Sequence, residues 1–255
     1  MRKVARMPLA ASDSSRTADR KVIYFEDLPR AGRRFEPTLE RTMDDDLLVL
    51  AGHLPGAGEG LAVSREVTGA RGIADLVGVT RWEGGLRRRL NEHLSFLANQ
   101  TDCEVVASSS AKRPTSPDTL ARRLGMSPEQ FARRSRHLLA EGHLLRVGSG
   151  FVRNPVLEPI GRTYALEAKV SDWRQGISQA LRYSSWCDAA AVVLLQPPRD
   201  LSEVRHHCTS LGLGLGIGDR WVVRPRIGQP NAGHRLAFSE RWAERMAAQM
   251  PSAEA

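Results

Sequence analysis

The segment 163–170 reads TYALEAKV, an apolar strand pattern broken by Glu167 and Lys169. Residues two apart in a strand share a face, so these two charges project together. A second apolar run, GIADLVGVT at 72–80, carries one acid, Asp75. Charged groups on strands otherwise fit for burial are expensive unless they are paired, metal-bound or solvated at a strand end. A chain that carries them must fold so that they meet something. Two hard carboxylate oxygens suit Mg2+ or Mn2+. An ammonium beside them can orient a water or stabilise charge developing on phosphorus. The alternative for the same residues is structural: Asp75 capping a turn, and Glu167 and Lys169 forming a simple ion pair.

Around these strands the chain reads as an alternation of helices and strands. Residues 21–29 are a short strand or an extended docking segment. Leu39, Met43, Leu47, Leu50 and Leu54 form a helical stripe over 37–54, ended by PGAGEG. LAVSREVT at 61–68 and the run at 72–80 form a hairpin around TGARG. Leu86, Leu90, Leu94 and Leu97 predict a helix over 84–100. A polar stretch from 103 ends in the linker SSSAKRPT. After the strand at 163–170, a helix at 171–187 with Ser171 as its N-cap is expected. A buried strand at 188–195 follows, then a helix at 199–212 ended by Gly212. One or two strands at 213–227 and a last helix at about 238–249 complete the pattern.

The stretch 116–154 breaks the pattern and reads as an inserted module. Ser116 caps a helix with Pro117 at its first position, and Gly125 stops it. Ser127, Pro128 and Gln130 open a second helix with capping-box spacing. HLLRV and FVRN then flank the tight turn GSG. Two short helices joined by a three-residue turn and followed by a hairpin resemble a winged helix-turn-helix. Residues 112–155 hold nine Lys/Arg against three Asp/Glu, a net of +6 out of +8 for the whole chain. The sequence pI is near 10.1. A basic balance of this size points to a polyanion, with nucleic acid the default partner. The resemblance implies that the second helix enters the DNA major groove, which makes Arg133, Arg134 and Arg136, with Arg146 on the wing, the nucleic-acid-binding candidates. A winged helix that packs only on protein is the competing reading.

The spacing Asp75…Glu167-Ala168-Lys169 resembles the motif of the PD-(D/E)XK nuclease superfamily, whose fold is called restriction-endonuclease-like. The order helix, three strands, helix, strand agrees, over roughly 37–80 and 163–217. Gln179 and Tyr183 form Q-x-x-x-Y on the following helix, similar to the RecB-type branch. Ala74 stands where Pro is common in the superfamily, and 92 residues separate Asp75 from Glu167, an excess that the inserted module accounts for. The resemblance implies an α/β fold, a mixed sheet flanked by helices. Its catalytic residues would be Asp75, Glu167, Lys169, Gln179 and Tyr183. Mg2+ or Mn2+ would be held by Asp75, Glu167 and the main-chain carbonyl of Ala168, with Glu66 as an additional acid. The implied activity is hydrolysis of DNA phosphodiester bonds.

The expected organisation is a disordered tail at 1–20, a core from 21–102 and 160–255, and the insert at 103–159. No apolar run reaches the ~18 residues of a membrane-spanning helix, and the basic start lacks a signal-peptide core. Cys103, Cys187 and Cys208 form no CxxC pair, which argues against a disulfide framework or structural zinc and fits a reducing cytoplasm. His206 and His207 are adjacent on a helix and point about 100° apart, a poor arrangement for sharing an ion. A homodimer or larger complex would suit two cuts on a duplex. A catalytically inactive DNA-binding protein and a protein-assembly adaptor are the alternatives to a nuclease.

Overall fold

The computed structural model of the chain describes residues 22–26 and 43–250. The predicted tail at 1–20, and Leu39 of the first helical stripe, lie outside the described residues. Strand β1 (Val22–Glu26) comes first. Helix α1 (Asp44–Gly52) follows with three acids in its first turn, where the helix dipole favours negative charge. The TGARG turn folds back as expected, Gly69 N–H donating to the Gly72 carbonyl, and joins β2 (Leu61–Thr68) to β3 (Ile73–Thr80).

After β3 the chain leaves the sheet. Helix α2 (Glu83–Asn91) ends earlier than the leucine spacing predicts. The reason is tertiary: Arg89 donates to the carbonyls of Leu94 and Ser95, and His93 takes a positive φ of 50°, so the chain turns instead of continuing. Leu97 is still buried, in the core of the module that follows. Helix α3 (Gln100–Ser108) replaces the predicted polar stretch. Asn99 caps it by accepting from the Asp102 N–H, and Cys103, Val105 and Val106 are buried. The expected boundary at 103 therefore falls inside a helix.

The next elements form as predicted. Helix α4 (Pro117–Leu124) is capped by Ser116 and stopped at Gly125, and α5 (Pro128–Ala140) opens with the Ser127–Gln130 capping box. Strands β4 (Leu144–Val147) and β5 (Gly150–Arg153) pair antiparallel as a separate two-stranded sheet. Leu120, Phe131, Leu138, Leu144 and Phe151 close this module's core against α3.

The chain re-enters the sheet at β6 (Arg162–Lys169). Then come α6 (Trp173–Tyr183), β7 (Ala189–Leu194), α7 (Leu201–Leu211), β8 (Gly214–Ile217), β9 (Arg220–Val223) and α8 (Ala232–Gln249). The cap of α6 is Asp172, which accepts from the Gln175 N–H, not the expected Ser171. Helix α8 starts at Ala232, six residues before its predicted start, because Asn231 caps it and Gly233 fits closely against Glu104.

The result is an α/β protein with a mixed seven-stranded sheet, ordered β1-β2-β3-β6-β7-β8-β9. Strands β6, β7 and β8 run parallel, whereas β3 is antiparallel to both β2 and β6. Helix α1 covers one face through Leu47, Leu50 and Ala51. Residues of α2, α6, α7 and α8 build the core on the other, including Leu86, Ile177, Val204 and Trp242. No helix among the described residues is long and apolar enough to cross a membrane.

Candidate metal centre

Sheet register brings the acids together. The β3–β6 ladder pairs Val77 with Ala165 and Leu76 with Leu166, and one further step sets Asp75 across from Glu167. Directly opposed residues in an antiparallel pair share a face. Asp75 Oδ2 accepts from the Ala168 N–H at 2.8 Å, which pins the β3 acid onto β6. On its other side β3 pairs with β2 through Arg65↔Leu76 and Val67↔Ala74, and Glu66 and Asp75 fall between those rungs. Glu66 and Asp75 thus lie at a gap in the β2–β3 ladder. Glu66 has φ of 51°, a region that non-glycine residues adopt only with strain.

Glu167 is 0% exposed and Lys169 is buried beside it. The Lys169 ammonium donates to Glu167 Oε1 at 2.7 Å and to the Ala168 carbonyl at 2.9 Å. Helix α6 packs closely enough to enclose this pair because Gly176 lies over it. A Cβ at that position would stand 2.7 Å from Val192 Cγ1 and 3.2 Å from Lys169 Cγ.

Tyr183 closes the other side of Glu167. Its hydroxyl lies 2.5 Å from Glu167 Oε2 and 2.5 Å from the Ile73 carbonyl. The one hydroxyl proton can be donated to either acceptor. Burial, with Asp75's charge second, pushes the Glu167 carboxyl up to about 7; Lys169 and Tyr183 pull the other way.

The predicted residues therefore separate into groups. Asp75, Glu167, Ala168, Lys169 and Tyr183 converge. Gln179 lies one turn before Tyr183 on the same face of α6, its Oε1 buried with no hydrogen-bond partner among the described residues. Glu66 falls at the gap in the ladder, and the pairing does not by itself bring its carboxyl to Asp75 or Glu167. Among the described residues, no group of three or more His, Cys, Asp or Glu side chains gathers closely enough to hold a metal by itself. The donor set nonetheless fits a hard cation: Glu167 Oε1 and the Ala168 carbonyl already share one positive charge, the Lys169 ammonium, and hard oxygen donors are what Mg2+ and Mn2+ prefer.

On the insert, Arg133 and Arg136 of α5 and Arg146 of β4 are exposed. The Arg146 guanidinium lies over the Phe151 ring. Arg134 is placed differently. It donates to Asp102 Oδ1 at 2.9 Å and ties α5 to α3.

Sequence reasoning missed two partners, the Ile73 carbonyl for Tyr183 and Asp102 for Arg134. The second had a signal, since Asn99 followed by Asp102 has N-cap spacing. Comparison of the chain with protein-family models, with curated proteins and with solved structures found no match.

Proposed function

We propose that this chain is a metal-dependent nuclease that hydrolyses phosphodiester bonds of DNA. Its core would be of the PD-(D/E)XK, restriction-endonuclease-like kind, and its insert a winged helix that assists DNA binding. The observation that carries this reading is the convergence of Asp75 and Glu167, from strands separated by the whole insert, beside an ammonium that bridges Glu167 Oε1 and the Ala168 carbonyl. Element order and the basic insert support it.

Asp75, Glu167 and the Ala168 carbonyl would hold Mg2+ or Mn2+, with Glu66 as the additional acid. A bound ion of this kind lowers the pKa of a water and neutralises charge on the scissile phosphate. Lys169 would position the attacking water and offset negative charge on the phosphate. Tyr183 holds the Glu167 carboxyl at Oε2 and so fixes how Oε1 is presented. Gln179 offers a buried amide oxygen with a hydrogen bond still to make. Arg133, Arg136 and Arg146 would take DNA phosphates or guanine edges.

The decisive test is Lys169→Ala. Cleavage in Mg2+ should be lost while DNA binding persists, and wild-type cutting by that variant would overturn the assignment. The full burial of Glu167, with Lys169 already neutralising it, favours a second reading: a silent DNA-binding protein on the same scaffold. Calorimetric titration with Mn2+ separates the two, since the silent protein should give no heat that depends on Asp75 and Glu167.

A further inference from the structure

The acidic centre opens on the β3 side. Glu167 and Lys169 are buried, whereas Asp75 is half-buried. The chain just ahead of Asp75 is more open still: Arg71, Gly72 and Ile73 are exposed. These residues belong to the turn between β2 and β3. Anything that reaches Asp75 from solvent passes close to that turn.

Three contacts fold the turn down beside the centre. Gly69 lies flat against the Trp186 indole, with no room for a Cβ. At Gly72 an added Cβ would stand 3.1 Å from the Tyr183 ring. That same tyrosine carries its hydroxyl to Glu167 Oε2 and the Ile73 carbonyl, so a single side chain separates the turn from the buried carboxyl. On the far side, Arg241 of α8 donates to the Thr68 carbonyl at 3.5 Å. Trp186 also packs on Phe238, three residues before Arg241, with ring centroids 5.0 Å apart. The turn, the end of α6 and the middle of α8 therefore meet at the acidic end of the sheet.

Three arginines stand on these three elements. Arg71 is in the turn beside Gly72, Arg182 immediately precedes Tyr183, and Arg241 lies on the Thr68 carbonyl. All three are exposed. Arg241 bonds only to main-chain carbonyls, those of Ala237 and Thr68. Among the described residues none of the three forms an ion pair with a carboxylate. Glu244 and Arg245 follow on α8 and offset one another, so the junction keeps three positive charges beside the centre's own acids. Guanidiniums without acidic partners keep their field for an incoming anion, and their planar fork matches a phosphate. A nucleic-acid strand carries one negative charge per ~3.4 Å of helix axis. A strand with one phosphate at Asp75 thus brings its next phosphates to the turn.

We propose that Arg71, Arg182 and Arg241 form a phosphate-binding rim on the core, which grips the DNA strand next to the bond that is cut. The rim rests on the nuclease reading and deepens it. It assigns a second DNA contact to the core itself, at the mouth of the acidic centre and separate from the arginines of the insert.

The test uses the full chain and a fluorescein-labelled duplex of about 24 base pairs, roughly two helical turns, in EDTA so that nothing is cut. Affinity is measured across a range of NaCl. The double variant Arg71→Ala with Arg182→Ala should flatten the plot of log affinity against log salt by about two, since each lost phosphate contact removes ~0.9. At about 0.1 M salt its binding should weaken at least about tenfold. Arg71→Lys with Arg182→Lys keeps the charges and should keep the wild-type slope. Both double variants should melt as wild type does, because the changed side chains are exposed. In Mg2+ the Ala variant should lose about tenfold in kcat/KM, chiefly through KM, as expected for lost ground-state binding. An unchanged slope and KM in the Ala variant, beside a wild type that cuts, would overturn the rim and leave the nuclease reading standing. A flattened slope beside a wild type that cuts in neither Mg2+ nor Mn2+ would overturn the nuclease reading, and with it the placing of the rim beside a scissile bond. A wild type that fails to bind the duplex at low salt would overturn both.

Discussion

Glu167 and Arg133 both belong to charged clusters, and their surroundings differ in every respect that sets the energy of a charge. Glu167 is sealed between β6 and α6, bonded to Lys169 and Tyr183, and shifted to about 7 by burial. Arg133 stands in water on α5. The buried carboxyl is held in one geometry by its bonds to Lys169 and Tyr183. The exposed guanidinium keeps its freedom and its long-range field, which suits attraction of a polyanion. Arg134, next along the chain, has left the exposed set for a bond to Asp102. Neighbouring arginines on one helix are thus doing different jobs, one cohesive and one available.

The difference can be broken experimentally, and the largest effect should come from the network that joins the two regions. Arg89 and Glu240 form an ion pair with both side chains 1% exposed, and Arg89→Ala leaves Glu240 buried without its cation; loss of one member of such a pair costs about 3–5 kcal/mol. Against a total stability of typically about 5–15 kcal/mol, this should move the denaturant midpoint strongly. A midpoint near wild type would mean that the insert is not secured through Arg89.

Next comes the Glu167 proton. Its carboxyl titrates at 4.5 when unperturbed and at about 7 in the fold, so the native chain holds an extra proton between those values. That contribution to stability is complete below about 4.5 and is lost as pH rises through about 7. Metal-free protein should therefore show a melting temperature that falls across this window, and Glu167→Gln should flatten the fall. Mn2+ should raise the melting temperature of wild type at pH 8 and leave Glu167→Gln unmoved. An unchanged pH profile in the Gln variant would place the titration elsewhere.

The smallest effects are expected on α5. Arg134→Ala should cost about 1 kcal/mol, discounted because the arginine is 34% exposed. Arg133→Ala should stay within about 0.5 kcal/mol of wild type in stability while weakening DNA binding and lowering its salt slope by about one. Thermal melts and salt-dependent shift assays on the same two proteins check the pair. Equal destabilisation by both would erase the distinction between them.

What could be read in the chain itself was local. Ser116, Pro117, Gly125, Ser127 and Gln130 specify the two short helices of the insert because caps and turns act within four or five residues. The alternation in TYALEAKV placed Glu167 and Lys169 on one face because the pleat has a period of two. Long-range placement followed other rules. Leu86 to Leu97 kept helical spacing, yet Arg89 captured the carbonyls of Leu94 and Ser95 and turned the chain, since a buried guanidinium must find acceptors. Only the pairing of β3 with β6 brought Asp75 to the Glu167-Ala168 segment, only the approach of α6 put Tyr183 on Glu167, and only the packing of α3 drew Arg134 to Asp102. Periodicity and capping are encoded by neighbours in the chain. The meeting of charges is decided by which surfaces close on one another, and that depends on the whole sheet.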